Sequence, residues 1–294
     1  KLGKLDCAYN KIKTIEKAFG RDVNLVQLSM DHNLIEELPR DENGSFCGYA
    51  DVESFSFAYN KLKKFPNIFS SQSVYVMSSV NFSFNEIDGF EGEEDGTFKG
   101  VNANTIAIGG NKLKKFPTIL FKTNSQVSAL GLNGNGIEEI PKGTFSASKY
   151  SYMMKTLDLT YNKLSKLPDD FNGRNMPFLY GVDVSNNRFP TGPMDAATLT
   201  VYAVRSQRDE NGNRLLRKWP SNISLCPSLR QFCIGGNDLR KITDTISSYI
   251  IVFEIKDNPN ISLNLSNVCN MIKAGAYLLI YDPEQDIRGC DYVK

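Results

Sequence analysis

Residues 154–171 read MKTLDLTYNKLSKLPDDF, with apolar residues at a regular spacing. The larger apolar residues stand at fixed distances before and after Asn162: Met154, Leu157, Leu159, Leu164, Leu167 and Phe171. Leu157 and Leu159 flank a single polar residue, so a short strand would direct both side chains into the core. Pro168 suits an extended return segment, since it has no backbone N–H to donate.

The same template recurs along the chain, each time around one polar anchor residue. Consecutive anchors lie 20 to 30 residues apart, a spacing typical of short solenoid repeats. An eleventh copy is anchored by Gln207 and carries a polar insertion, Arg208 to Arg214. The other ten copies have asparagine at the anchor: Asn10, Asn33, Asn60, Asn85, Asn111, Asn135, Asn162, Asn187, Asn237 and Asn258.

One such coil cannot bury its apolar side by itself, whereas a stack of coils buries it continuously. The anchor stands where the chain leaves the strand and turns inside the core. Because its amide both donates and accepts, it can satisfy backbone groups that the turn leaves unpaired. We therefore expect a ladder of buried anchor amides along the stack.

The motif L-x-x-L-x-L-x-x-N-x-L-x-x-L-P-x-x-F, which residues 154–171 nearly match, resembles the typical extracellular class of leucine-rich repeat, with about 24–25 residues per coil. The resemblance implies an α/β fold: a right-handed solenoid with a parallel β-sheet on the concave face and irregular convex segments. The motif is also similar to the repeats of bacterial cell-surface proteins.

We expect a solenoid of about eleven coils over residues 1–265, without an N-terminal cap, and a C-terminal cap over residues 266–294. In the cap, Ser266 or Asn267 is expected to begin a short helix that ends near Gly275. Residues 277–281 are expected to form a closing strand. Cys269 and Cys290 both fall in the cap, as a disulfide or as two unpaired thiols. Cys233 is expected to point outward from its strand.

Composition argues against a nucleic-acid partner and against a membrane span. The formal net charge is +1, so no field of one sign attracts a polyanion. The basic pairs Lys63-Lys64 and Lys114-Lys115 alternate in register with acidic pairs such as Glu138-Glu139, which predicts surface ion pairs. No apolar run reaches the about 18 residues that a span requires, and no signal peptide is visible.

The sequence gives little support for a catalytic site or a metal site. The chain has one histidine, His32, which excludes a multi-histidine metal site. Asp158 and Asp183 share one outward position in adjacent coils, but their polar neighbours predict a solvated acidic patch rather than an acid–base pair. The acidic turns Asp41–Gly44 and Asp209–Gly212 lack the spacing of a calcium loop. We expect neither a metal nor a cofactor.

Outward strand residues are mostly small, and large side chains recur at a single register. The place just before the anchor holds Tyr9, His32, Tyr59 and Phe84 in the first four coils, and Tyr161 further along the chain. Exposed aromatic side chains are common at recognition sites, whereas lateral packing of the rings on one another is the alternative. Both interpretations remain open at this point.

The sequence thus predicts a non-catalytic recognition module that binds a protein or a glycan through its concave face, with Asp158 and Asp183 as further contact candidates. The alternative is a structural spacer within a larger cell-surface protein. A hydrolase that uses Asp158 and Asp183 is the third candidate. We expect a monomer in an extracellular or cell-surface location.

Overall fold

The computed structural model describes residues 3–15, 25–39, 52–69, 76–123, 125–192, 198–220, 223 and 226–293. The chain divides into two units. The first comprises Lys1–Ile137 and Gly143–Leu157, and the second comprises Glu138–Lys142 and Asp158–Lys294. The same repeating coil builds both units, and each is described in turn.

The described part of the first unit contributes one short strand per coil. These strands are β1 (Lys4–Asp6), β2 (Gln27–Ser29), β3 (Ser54–Ser56), β4 (Met77–Asn81), β5 (Ala103–Ala107) and β6 (Ala129–Gly131). Each strand pairs in parallel with the next one along the chain. The register places Leu28 beside Phe55 and Phe55 beside Val80, so the central residues form one buried column. Strand β7 (Thr156–Asp158) lies at the boundary between the units.

The second unit repeats this arrangement with β8 (Gly181–Asp183), β9 (Val201–Ala203), β10 (Gln231–Cys233), β11 (Val252–Glu254) and β13 (Leu278–Ile280). These strands pair in parallel and in chain order. The rings of Tyr202, Phe232 and Phe253 stack behind them at centroid distances of 5.6 and 5.9 Å. A two-stranded parallel sheet forms beside them from β12 (Ser262–Asn264) and β14 (Asp286–Arg288).

The predicted fold class is confirmed, because the structure is a solenoid of parallel strands with few helices. Two short α-helices, α1 (Ile119–Lys122) and α2 (Cys269–Lys273), and the 3₁₀ turn Ser151–Met153 are the helical segments of the described residues. Apolar helices long enough to cross a membrane do not occur among them.

Buried anchor amides tie each coil to the one before it. Asn60 shows the arrangement: its Nδ2 donates to the backbone oxygens of Met30 (2.9 Å) and Phe57 (3.1 Å). Its Oδ1 accepts from the Ile35 N–H at 3.0 Å. Asn60 Nδ2 also donates to Ala58 O at 3.2 Å, so the anchor satisfies two groups of its own coil and two groups of the preceding coil. Bonds to both coils likewise recur at Asn33, Asn85, Asn111, Asn135, Asn187 and Asn258.

The remaining predicted anchors vary this pattern. Gln207 is fully buried and donates to Val184 O at 3.0 Å, as an asparagine anchor would. Asn237 accepts from the backbone N–H of Gln207 itself. Asn162 is buried and donates to Leu159 O at 3.0 Å. Asn10 is exposed and donates within its own coil.

Gln285 extends the ladder into the predicted cap. Its Nε2 donates to Ile255 O at 2.9 Å and to Asn258 O at 3.1 Å. Its Oε1 accepts from the Asp282 N–H at 3.0 Å. The sequence template did not single out this residue, since the apolar pattern of the earlier coils does not continue around it.

The C-terminal region differs from expectation at its helix. Helix α2 begins at Cys269 with Val268 as its N-cap, and no side chain caps it. The expectation that Ser266 or Asn267 begins the helix is wrong, since Asn267 donates instead to Ile246 O at 2.6 Å. Cys269 and Cys290 form a disulfide, with their Cα atoms 5.2 Å apart.

The ladder predicts a large stability difference between two asparagine substitutions. Asn111→Leu removes the partners of Phe82 O, Ile108 O and Ile87 N, and each stranded group costs about 1–3 kcal/mol. We expect a loss of at least about 2 kcal/mol in the free energy of unfolding, measured by denaturant titration.

Asn104→Leu is the matched control, since Asn104 is exposed on β5 and its side chain forms no hydrogen bond within the described residues. Its free energy of unfolding should change by no more than about 0.5 kcal/mol. Equal unfolding midpoints for the two variants would refute the role of the ladder.

Candidate functional site: the outer sheet face and its aromatic stack

Away from the core, the sheet of the first unit presents small side chains. Ser54 and Ser79 lie side by side on neighbouring strands, with their hydroxyl oxygens 2.8 Å apart. The other residues of this face in β3 to β6 are also small or short: Ser56, Asn81, Thr105, Ala107, Ala129 and Gly131. A partner could approach the backbone closely here, but the floor offers few anchoring groups.

Several outward polar residues satisfy backbone amides of the sheet. The N–H two places before the anchor is not part of the strand ladder, and a nearby side chain accepts from it. Asp158 accepts from Thr160 N (2.9 Å), and Asp183 accepts from Ser185 N (2.9 Å). Asp31 accepts from Ala58 N in the next coil, at 2.7 Å. One oxygen of each of these carboxylates is therefore occupied by a structural hydrogen bond.

The residue just before each anchor adopts a left-handed backbone conformation. Its φ lies between 51° and 71° in all eleven predicted coils. Glycine, which tolerates this conformation, occupies it at Gly110, Gly134 and Gly236. The other coils have side chains there: Tyr9, His32, Tyr59, Phe84, Tyr161, Asn186, Ser206 and Asp257. A left-handed residue with a side chain costs about 1–2 kcal/mol, so the aromatic residues require a compensating interaction.

Ring stacking provides that interaction in the first unit. Tyr9, His32, Tyr59 and Phe84 form one continuous column, called here the aromatic stack. Successive ring centroids lie 4.3, 4.1 and 4.4 Å apart, and neighbouring planes are tilted by only 9–10°. Each stacked pair contributes about 0.5–1.5 kcal/mol, which is similar in size to the backbone cost at one residue.

Gly110 closes the column. The ring of Phe84 lies against its backbone, and a Cβ placed on Gly110 would stand 2.5 Å from Phe84 Cδ1. Both faces of His32 and Tyr59 are covered by neighbouring rings, and those of Phe84 by Tyr59 and Gly110. The ring edges remain open, since Tyr9, Tyr59 and Phe84 are 78%, 44% and 46% exposed.

Charges one place after the anchor differ between coils. Lys112 pairs with Glu86 at 2.9 Å, and in the second unit Lys163 pairs with Glu138 at 3.3 Å. Lys11 and Lys61, which follow Tyr9 and Tyr59 of the aromatic stack by two residues, are exposed and form no ion pair within the described residues. Lys64 pairs with Asp88 at 2.9 Å, as the alternation of charged registers predicts.

The outer face of the second unit carries a bridging ion pair. Arg205 donates through Nε to Glu254, two strands away, and its Nη1 lies 3.9 Å from Asp183 Oδ2. The bridge crosses coil ten at Gly235, where a Cβ would collide with the Glu254 carboxylate. Cys233 is 1% exposed, and burial raises the pKa of its thiol. Cys233 thus shares the outward side of β10 with Gln231, as expected, but it is covered rather than exposed.

Groups of three or more metal-ligating side chains do not occur among the described residues. Asp209, in the second acidic turn, accepts from the backbone N–H groups of Asn211 and Asn213 at 2.9 and 2.8 Å. Its hydrogen bonds with Asn213 lower the pKa of the Asp209 carboxyl. Hydrogen bonds within the turn thus account for the position of the Asp209 carboxylate. The first acidic turn, Asp41–Gly44, lies outside the described residues.

Comparison with known proteins agrees with the geometry of the coils. The profile of the Leucine Rich Repeat family matches residues 153–173, the coil anchored by Asn162. A leucine-rich repeat protein from Bacteroides eggerthii is 45% identical to this chain, covers 99% of it and gives a TM-score of 0.90. One from Bacteroides thetaiotaomicron is 43% identical, covers 100% and gives 0.89. The chain belongs to the leucine-rich-repeat superfamily.

This leucine-rich-repeat chain matches only part of its relatives. It spans 48% and 36% of the two Bacteroides chains. It is also 23% identical to osteomodulin from Bos taurus, over 85% of this chain and 56% of that protein. The comparison thus establishes the repeat architecture over the region that is shared.

Two glycines at the same register test the aromatic stack. Gly110 and Gly134 have φ values of 65° and 66°, so alanine imposes the same backbone strain at both, about 1–2 kcal/mol. Only Gly110→Ala collides with Phe84, since the nearest atom to a Cβ on Gly134 is 3.6 Å away. We expect Gly110→Ala to reduce the free energy of unfolding by a further 1–2 kcal/mol or so.

Near-ultraviolet circular dichroism provides a second measurement of the stack. Gly110→Ala should change the aromatic signal, whereas Gly134→Ala should retain the wild-type spectrum. Identical stabilities and spectra for the two variants would show that Phe84 does not depend on the open space at Gly110.

Proposed function

We propose that this chain is a non-catalytic recognition module that binds a protein or a glycan through the outer sheet face of the first unit. The aromatic stack is the observation that carries the proposal. Tyr9, Tyr59 and Phe84 keep roughly half or more of their surface exposed at the border of a floor of small side chains. Large exposed aromatic side chains are characteristic of binding hot spots.

A structural spacer needs no such patch, because repeats with a uniformly polar surface would hold a domain apart equally well. Four of the five large side chains at this register fall in successive coils, and they occupy a backbone conformation that disfavours them. This localisation favours recognition over a spacer role.

The hydrolase alternative gains no support from the acidic pair. General acid–base catalysis requires a carboxyl group withdrawn from water. The Asp183 side chain is 37% exposed, Asp158 is partly exposed, and each directs one oxygen to a backbone N–H. We infer that these carboxylates shape the sheet surface and can contact a partner.

We also infer an extracellular or cell-surface location. The disulfide between Cys269 and Cys290 closes the C-terminal region, and disulfides persist mainly in oxidising compartments. Cys7 and Cys233, also within the described residues, carry free thiols, and Cys233 is buried.

Two alanines allow a matched test of the proposed surface. Ala107 lies on the outer face of β5, whereas Ala147 is exposed in a return segment of the same unit. The wild-type chain would be screened on a glycan array and a protein array, and Kd would be measured for each ligand found. Ala107→Arg should weaken binding about tenfold or more, because it blocks close approach to the sheet, and Ala147→Arg should leave Kd unchanged.

Tyr59→Ala should weaken binding of the same ligand by about 1 kcal/mol or more. A ligand that binds all three variants with wild-type affinity would place the binding site elsewhere. Failure of the wild type to bind any probe on either array would favour the spacer.

A further inference from the structure

The charges beside the aromatic stack indicate which kind of partner the proposed surface fits. Lys11 and Lys61 each follow a stacked tyrosine by two residues, and neither forms an ion pair within the described residues. The Glu86 carboxylate pairs with Lys112, whose hydrogen bond lowers the pKa of Glu86, and the charge of Lys61 adds to that shift. At the same register elsewhere, Lys112 and Lys163 are paired with glutamates. The cations of this register without an ion pair are therefore the two that follow the stacked tyrosines in sequence.

The exposed edges of His32 and Tyr59 favour the same ligand groups as the lysines do. An aromatic ring is electron-rich on its faces and electron-poor at its edge. The faces of His32 and Tyr59 are covered by neighbouring rings at 4.1–4.4 Å, so these rings present edges to a ligand. Ring edges favour carboxylate and carbonyl oxygens, whereas sugar rings that stack on aromatic faces find no open face on these two residues.

The repeat spacing defines the distance between the two cations. Lys11 and Lys61 occupy equivalent places two coils apart, and adjacent strands lie about 4.8 Å apart, which gives a separation of about 10 Å. The uncharged Leu34 occupies the intervening coil. A polyproline II segment rises about 3.1 Å per residue with three residues per turn. Every third side chain therefore lies on one face, about 9 Å from the previous side chain on that face.

We propose that Lys11, Lys61 and the ring edges of the aromatic stack bind an extended acidic segment of a partner protein, with carboxylates three residues apart. This inference rests on the proposed recognition function and selects a protein ligand over a glycan. A β-strand fits less well, because its same-face side chains repeat at about 7 Å rather than 10 Å.

Synthetic peptides provide the probe. A fluorescein-labelled peptide of four Glu-Pro-Pro repeats would be titrated with the full chain and followed by fluorescence anisotropy. A Lys-Pro-Pro peptide controls for charge, and a peptide of the same composition with its glutamates in one block controls for spacing. The Glu-Pro-Pro peptide should bind most tightly, and its affinity should fall as salt is added.

Two lysines at the same register complete the test. Lys61→Ala should reduce the affinity for the Glu-Pro-Pro peptide about fivefold or more, since a charge-assisted contact is lost. Lys112→Ala, which removes a lysine already paired with Glu86, should change Kd by less than about twofold.

Equal affinity of the Glu-Pro-Pro and Lys-Pro-Pro peptides, or equal loss in both variants, would overturn the acidic partner. Equal affinity of the blocked and spaced peptides would overturn the three-residue spacing. If no peptide binds while an array ligand binds the wild type and is lost in Ala107→Arg, the recognition function stands and this inference is wrong.

Discussion

The structure depends on the hydrogen bonding of a polar side chain inside an apolar core. In each coil the chain leaves its strand and turns while still buried, and the turn leaves backbone groups without partners. The anchor amide satisfies those groups in its own coil and in the preceding one, as Asn60 does for Phe57, Met30 and Ile35. A buried unsatisfied group costs about 1–3 kcal/mol, so an apolar anchor would destabilise both the turn and the contact between coils.

The turn has a consequence for the surface. The residue before each anchor takes a left-handed conformation and projects beside the sheet, which is how Tyr9, His32, Tyr59 and Phe84 come to stack. In the second unit the corresponding column contains one aromatic residue, Tyr161, followed by Asn186, Ser206, Gly236 and Asp257. That unit is distinguished by the bridge between Arg205 and Glu254. The two units are therefore built from the same kind of coil, but the side chains on their outer faces differ.

Much of this architecture could be predicted from the sequence, because anchors and strand residues follow a strict spacing. Gln207 could be recognised as an anchor, since the apolar positions before it are filled. Gln285 lacks that context and was missed. The left-handed turn was also missed, although Gly110, Gly134 and Gly236 at the place before the anchor are its signal. The burial of Cys233 depends on Arg205 and Glu254, long side chains from coils two strands apart that meet only in the folded sheet.

Site-resolved hydrogen exchange of the backbone amides measures the central interaction most directly. The N–H groups of Ile35, Leu62 and Ile87 donate to the anchor oxygens of Asn60, Asn85 and Asn111 at 2.9–3.0 Å. If anchor side chains hold the coils together, these amides should exchange as slowly as those of the adjoining strands, since they open only with the coil itself. Exchange as fast as that of the exposed turn at residues 91–96 would contradict the account.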